Sequence, residues 1–207
     1  VTKTGQGNVN SNDSATGLDR LAASARGEDG RRSGRPPIHL WNPAFCGDID
    51  MRIASDGTWF YQGTPIGRPA LVKLFASVLK HEPEENRHVL VTPVEKVGIV
   101  VEDAPFVAVE MRREEGPEQR LGFRTNVDDW TIAGPQVPLR FERDRHDGVK
   151  PYVLVRDALW ARVARSLMYD LVDLGEIREV DGVATFGVTS GGAFFAIAPA
   201  SELDAWA

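Results

Sequence analysis

Between Ile49 and Tyr61, apolar and polar side chains alternate on either side of a Ser-Asp-Gly turn, and this pattern constrains the fold more than any other stretch of the chain. Ile49, Met51 and Ile53 fall on one face while Asp48, Asp50 and Arg52 fall on the other, the period of a half-buried strand. Asp56 and Gly57 supply the turn, because glycine accepts the positive φ that a tight hairpin demands. Trp59, Phe60 and Tyr61 then put aromatic groups on both faces of the returning strand. The stretch reads as a hairpin and not as a catalytic loop.

The same punctuation recurs downstream. A helix is expected from Pro69 to the stop at Pro83, with Leu71, Leu74, Phe75, Val78 and Leu79 on its apolar stripe. Strands at HVLVT from His88, VGIVVE from Val97 and FVAVEM from Phe106 are expected to form an antiparallel meander. Further strands fit LGFRTN from Leu121, TIAG from Thr131 and PLRFER from Pro138. A second helix is expected over 157–172, from the pairs Leu159/Trp160, Val163/Ala164, Leu167/Met168 and Leu171/Val172. The strands VATFGV and AFFAIA, joined by TSGG, read as a closing hairpin.

Residues 1–35 are rich in Gly, Ser, Asn and Arg and are expected to form a largely disordered tail, with a helical turn or two near Leu18. They hold six basic and four acidic side chains up to Pro37, so the remainder carries −8 of the −6 total. A globular part this acidic argues against nucleic-acid backbone binding, which needs clustered positive charge. Cys46 is the only cysteine, which excludes an internal disulfide and a multi-thiolate zinc site. The chain has neither an apolar run long enough to span a bilayer nor a secretory h-region at its start, so a cytoplasmic location is expected.

An internal repeat is visible. MRI from Met51, Asp56-Gly57 and RPAL from Arg68 are echoed by LRF from Leu139, Asp147-Gly148 and RDAL from Arg156. Asp56 to Leu71 spans fifteen positions and Asp147 to Leu159 spans twelve, a difference one short loop absorbs. The fold class expected is α+β: two copies, over 36–120 and 121–207, of a curled antiparallel sheet carrying one helix.

The runs HLWNPAFCGDIDMRIASDGTWFYQGTPIGR from His39 and LVTPVEKVGIVVEDAPFVAVE from Leu90 carry unusual words such as DGTW, GTPI, TPVE and EDAPF. Over about Pro36 to Ala198 the chain resembles a bacterial family known as domain of unknown function 1285. The resemblance implies a duplicated α+β fold whose second half is superficially like a pleckstrin-homology sheet and helix. It also implies a role in signalling with a ligand site between the halves, and it brings no activity or catalytic residue.

Candidate chemistry is sparse. Cys46 with His39 and Asp48 offers a nucleophile, base and orienter only on paper, and apolar packing of Cys46 is the simpler expectation. A calcium loop through Asp48, Asp50 and Asp56 fails, since Ile53 and Trp59 stand where glycine and an acid are needed. His39, His81, His88 and His146 have no zinc-binding spacing, and there is no phosphate-binding glycine loop or serine-hydrolase motif, so neither metal nor cofactor is expected.

The candidate ligand-binding residues are Arg52, Arg68, Arg140 and Arg156. Arg68 and Arg156 are each expected at a helix N-cap, where arginine offers no acceptor to the orphan amides and opposes the dipole. Beside free helix-end amides, such a cation makes a site for phosphate or carboxylate. Arg52 and Arg140 would face it from the strands. Arginine provides nineteen of the 24 basic residues, so each such coincidence is discounted, and a structural salt bridge is the competing account. The function expected is regulation without catalysis, through a small anionic ligand or a protein partner at the junction of the repeats. The alternatives are a hydrolase using carboxylates such as Asp50 and Glu95, or a pure interaction module. The sequence leaves the oligomeric state open.

Overall fold

In the computed structural model, residues 11–26, 35–114, 116–144 and 148–205 are described. They form two compact units, one running from the first helix through residue 100, the other holding Ala54–Gly57 and the chain from Val101 onward.

The first unit opens with helix α1, Ser11–Arg26. This is longer than the helical turn or two expected near Leu18 in a segment otherwise expected to be disordered: Leu21, Ala22 and Ala25 recur at helical spacing and are buried, and α1 packs on the next helix. Residues 1–10 and 27–34 lie outside the described residues. Strands β1 (Phe45–Ile53) and β2 (Trp59–Tyr61) pair antiparallel with Ile53 opposite Trp59, and Gly57 takes φ 86° in the turn. The expected hairpin is therefore present. Strand β3 (Thr64–Pro65) follows, then helix α2 (Pro69–Ser77) with Pro69 in its first turn.

Helix α2 is shorter than expected. The Ser77 hydroxyl donates to the Leu74 carbonyl at 2.6 Å, and Leu79–Glu82 continues as strand β4. Val78 and Leu79 are buried on either account, so helical spacing alone does not separate a longer helix from a helix running into a strand. Strands β5 (Arg87–Val91) and β6 (Lys96–Val101) complete an antiparallel meander with β4, and the sheet runs β3-β2-β1-β6-β5-β4. Met51, Ile53, Trp59, Phe75, Leu79 and Leu90 are fully buried, with Trp59 stacked on Phe75 at 6.3 Å.

The third member of the expected meander, β7 (Phe106–Glu114), belongs to the second unit. It pairs antiparallel with β8 (Arg120–Thr125), which pairs with β9 (Trp130–Ile132). Strands β10 (Leu139–Arg143), β11 (Val149–Arg156) and β12 (Leu159–Val163) form a second antiparallel run, and β12 joins β7 in parallel. This sheet is thus mixed and not wholly antiparallel. The helix expected over 157–172 divides: Asp157 and Ala158 form a turn at positive φ, β12 follows, and helix α3 is only Arg165–Asp173. Leu159, Ala161 and Val163 are buried at strand spacing, a pattern that helical pairs conceal.

A three-stranded sheet of β13 (Gly175–Val180), β14 (Val183–Ser190) and β15 (Ala193–Pro199) ends the fold, with Gly191 and Gly192 turning the expected last hairpin. Buried Ser190 ties β14 to β8, donating to the Ala133 carbonyl at 2.7 Å and accepting from the Leu121 amide at 2.9 Å.

Two units therefore share one order: three strands, a helix, and a three-stranded meander. β1-β2-β3, α2 and β4-β5-β6 answer to β10-β11-β12, α3 and β13-β14-β15. In this alignment the second pair from the first hairpin turn is Arg52 with Phe60 and its counterpart is Glu142 with Lys150, so Arg140 does not answer to Arg52. The N-cap position that Arg68 holds on α2 is taken by Ala164 on α3, with Arg165 next to it, and not by Arg156.

Candidate functional site

The four arginines singled out in the sequence do not converge within their units. In the first unit, Arg52 lies over the Phe60 ring at 4.2 Å, and Arg68 holds the N-cap position of α2 without a side-chain cap. Arg68 pairs with Asp19 of α1 at 3.2 Å, both side chains being largely exposed. In the second unit, Arg140 stacks over Tyr152 at 5.0 Å and Trp160 at 4.4 Å and pairs with Glu142 at 3.0 Å. Arg156 ends β11 and heads no helix. Its side chain is 9% exposed, bonded to Asp129 at 2.5 Å and set over Phe106 at 5.0 Å. A cation so enclosed and so closely matched by one carboxylate is part of the scaffold.

A different group of cations lines a cleft of about 600 Å3 that lies wholly within the second unit. The cleft opens where Asp144 and Gly148, the first residues of β11, the last residues of β12 and the first turns of α3 meet. Val149, Pro151 and Val163 provide apolar surface from the strands. Arg165, Met168 and Tyr169 share one helix face, three and four residues apart, and close the other side. Lys150 and Arg162 also line the cleft, from strand positions that alternate to the other face of the ribbon, the face of Tyr152.

These cations hold unspent donors. Lys150 and Arg165 have no ion pair among the described residues, and the Arg162 Nε is buried without a hydrogen bond, its nearest carboxylate being Asp103 at 3.6 Å. Asp103 instead accepts a 2.7 Å bond from the buried Tyr152 hydroxyl. Burial first, then this bond to a carboxylate, raises the Tyr152 pKa well above the ordinary tyrosine range. The Asp144 carboxylate, also lining the cleft, accepts from the Gly148 amide at 2.9 Å. Arg140, Tyr152 and Arg162 stand in one cross-strand row, so Arg140 is near this group without lining the cleft.

Sequence reasoning missed Lys150, Arg162 and Arg165 because the helix expected over 157–172 turned the last two towards a solvated helix face. The signal that could have found them is the alternation Leu159, Ala161, Val163 against Trp160, Arg162.

The remaining chemical candidates stay apart or lack partners. Cys46 is exposed, not packed, with its Sγ 3.4 Å from the Ala44 carbonyl. His81 and His88 face each other across β4 and β5 with rings 4.7 Å apart. Burial first, then the neighbouring His81, lowers the His88 pKa to about 4. Among the described residues no three His, Cys, Asp or Glu side chains gather as a metal site, and His146 lies outside them. Asp50 and Glu95 are on separate segments of the first unit, β1 and the β5–β6 turn.

Comparison with known proteins fits this architecture. Residues 36–104 match the N-terminal domain, and residues 105–197 the C-terminal domain, of the family described as Domain of unknown function (DUF1285). A crystal structure of a DUF1285 family protein from Silicibacter pomeroyi DSS-3 is similar with a TM-score of 0.79 and 52% identity, over 89% of this chain and 97% of that one. A second, from Shewanella baltica OS155, has a TM-score of 0.49 and 30% identity over 60% of this chain and 91% of that one. No curated protein matches the chain. With both domains matched in order and a solved relative at 52% identity, the chain belongs to the DUF1285 family.

Proposed function

We propose that the protein is a non-enzymatic regulatory protein of the cytoplasm that binds a small anionic ligand in the cleft of its second unit. The observation that carries this reading is that Lys150 and Arg165, neither in an ion pair among the described residues, line one concave surface of about 600 Å3 together with Arg162, whose Nε is buried without a hydrogen bond and whose carboxylate neighbour Asp103 is 3.6 Å away. That volume is in the range of small-molecule sites, and three cations around it favour an anion by charge and by hydrogen bonding. In this reading the pleckstrin-homology-like likeness of the second half describes a sheet and a helix that hold the ligand between them. Ligand occupancy would be passed to a protein partner as a signal. No helix among the described residues is long and apolar enough to cross a membrane, which is compatible with such a role.

The test is a thermal-shift panel of inorganic phosphate, pyrophosphate, cyclic dinucleotides and small carboxylates, run on the natural protein and on a Lys150→Gln, Arg162→Gln, Arg165→Gln variant. A ligand at a hundred times its dissociation constant stabilises by about 2.7 kcal/mol, which is several degrees for a protein of this size. A shift lost in the variant supports the reading. A shift kept in the variant places the ligand elsewhere, and no shift from any anion leaves a protein-interaction module as the better account.

A further inference from the structure

We propose that the outer edge of β13 is a self-association surface, on which a second copy of the chain adds its own β13 antiparallel about a two-fold axis at Ile177. This edge belongs to the three-stranded sheet of the second unit and contributes no residue to the cleft.

The edge is long and regular. On one side β13 pairs with β14, from Gly175 opposite Val188 to Val180 opposite Val183, without a register shift. On its other side it has no strand among the described residues. Such an edge presents a row of backbone donors and acceptors to a strand of matching chemistry. The other sheet ends are blunt or met: β3 is two residues and ends in Pro65, β4 is four residues and carries Lys80, β9 is three residues, and β10 and β15 contact each other. From Glu176 to Val180 every residue of β13 is exposed, with Ile177 at 57% and Val180 at 37% giving it apolar surface.

Charge selects a second copy as the occupant. A two-fold axis normal to the sheet keeps its two faces in place, so only registers centred on a single residue are open to two identical strands. Centring on Glu176, Arg178 or Glu179 sets that charge against its own copy, and centring on Val180 sets Glu179 against Asp181. Centring on Ile177 sets Ile177 against Ile177 and, on both sides of the axis, Glu176 against Arg178. Glu176 and Arg178 already share one face of the strand, with the guanidinium 2.8 Å from Glu176 Oε1 and 5.3 Å from the Phe194 ring centre. The Thr189 hydroxyl donates to the same Oε1 at 2.5 Å, which leaves Oε2 to accept from the arginine of the second copy.

Sedimentation velocity of the whole chain tests this. The pairing of one strand is small beside a stable interface, so the natural protein should be monomeric at about 5 µM and mostly dimeric at about 500 µM. Arg178→Glu sets two carboxylates against each other at both flanking positions and should weaken the dimer at least tenfold. Adding Glu176→Arg to that variant restores opposite charges with their order reversed and should recover the dimer. Both positions are exposed, so folding is not at risk, and a thermal melt of each variant confirms it. A natural protein that stays monomeric throughout would overturn the proposal. So would a dimer untouched by Arg178→Glu, which places association on another surface. A dimer lost in the single variant and not recovered in the double would overturn the register centred on Ile177, and with it the choice of a second copy over some other strand.

Discussion

The Tyr152 hydroxyl donates a 2.7 Å hydrogen bond to Asp103, the carboxylate that also lies 3.6 Å from the Arg162 Nε. Tyr152 is 2% exposed while Asp103 stands at the surface, so the bond anchors an exposed carboxylate to the buried sheet and fixes where it can stand relative to the cleft. Replacing Tyr152 with Phe removes the donor and leaves the carboxylate short of one bond. A hydrogen bond to a charged group is worth about 1.5 to 3 kcal/mol, and the variant should lose stability on that scale in urea unfolding. Freed from the tyrosine, Asp103 should engage Arg162 more fully and weaken anion binding. A variant as stable as the natural protein would show that the bond does not form in solution.

The same tyrosine sets an alkaline limit. Its folded pKa is raised, so its stabilising contribution is complete below the unfolded value of about 10 and is lost as pH rises beyond it. Unfolding free energy should therefore fall above about pH 10, and the fall should be shallower in Tyr152→Phe. Equal slopes in the two proteins would remove Tyr152 from the account.

His88 acts at the other end of the scale. Its folded pKa is lowered to about 4, by burial and then by His81, against about 6.5 for an unperturbed histidine. The unfolded chain binds the proton first, so stability is full above about pH 6.5 and declines as pH falls towards 4. After discounting for partial solvent exposure the loss should be about 1 to 2 kcal/mol. His88→Gln should flatten the stability curve across that window in denaturant titrations at stepped pH, and a slope that persists would assign the effect to other groups.

Helix α1 gives a contrast between packing and charge. Ala22 and Ala25 are 1% and 2% exposed, and Ala22→Leu should overpack the α1–α2 contact at a cost of about 1 to 3 kcal/mol. Asp19→Ala removes only the exposed pair with Arg68 and should change stability by less than about 0.5 kcal/mol. If α1 were undocked in solution, both changes would be silent in thermal unfolding.

What the sequence made legible follows from how local each signal is. The β1–β2 hairpin is written into Asp56 and Gly57, and the start of α2 into Pro69, because turn and cap chemistry act within a few residues. The parallel pairing of β12 with β7 joins residues more than fifty positions apart and has no local signature, so the sequence could not report that Phe106 leaves the first meander. Helix α1 was legible only as a turn or two near Leu18 because its buried face is mostly alanine, a residue that carries little burial signal of its own until α2 is placed against it. The cleft was missed for one reason: Arg162 and Arg165 sit on a strand and a helix that the sequence reading fused.

That fusion yields a prediction whose sign decides between the two readings. Asp157 and Ala158 have φ of 41° and 62°, the left-handed region that a tight two-residue hairpin turn requires at both positions. Alanine has no side-chain hydrogen bond to offset the strain of a Cβ there, whereas glycine adopts the conformation freely. Ala158→Gly should therefore stabilise the protein, by about 0.5 to 1 kcal/mol after the greater entropy of the unfolded glycine is set against the relieved strain. Were residues 157–172 a continuous helix, the same change would destabilise by about 1 kcal/mol, since glycine is a poor helix former. Ala158→Val sharpens the comparison: a branched side chain at positive φ should cost more than alanine in the turn and only a few tenths in a helix. Urea midpoints of the two variants, ordered Gly above the natural protein above Val, would establish the β11–β12 turn and with it the strand that brings Arg162 to the cleft, and the reverse placement of Gly would restore the helix and dissolve the site.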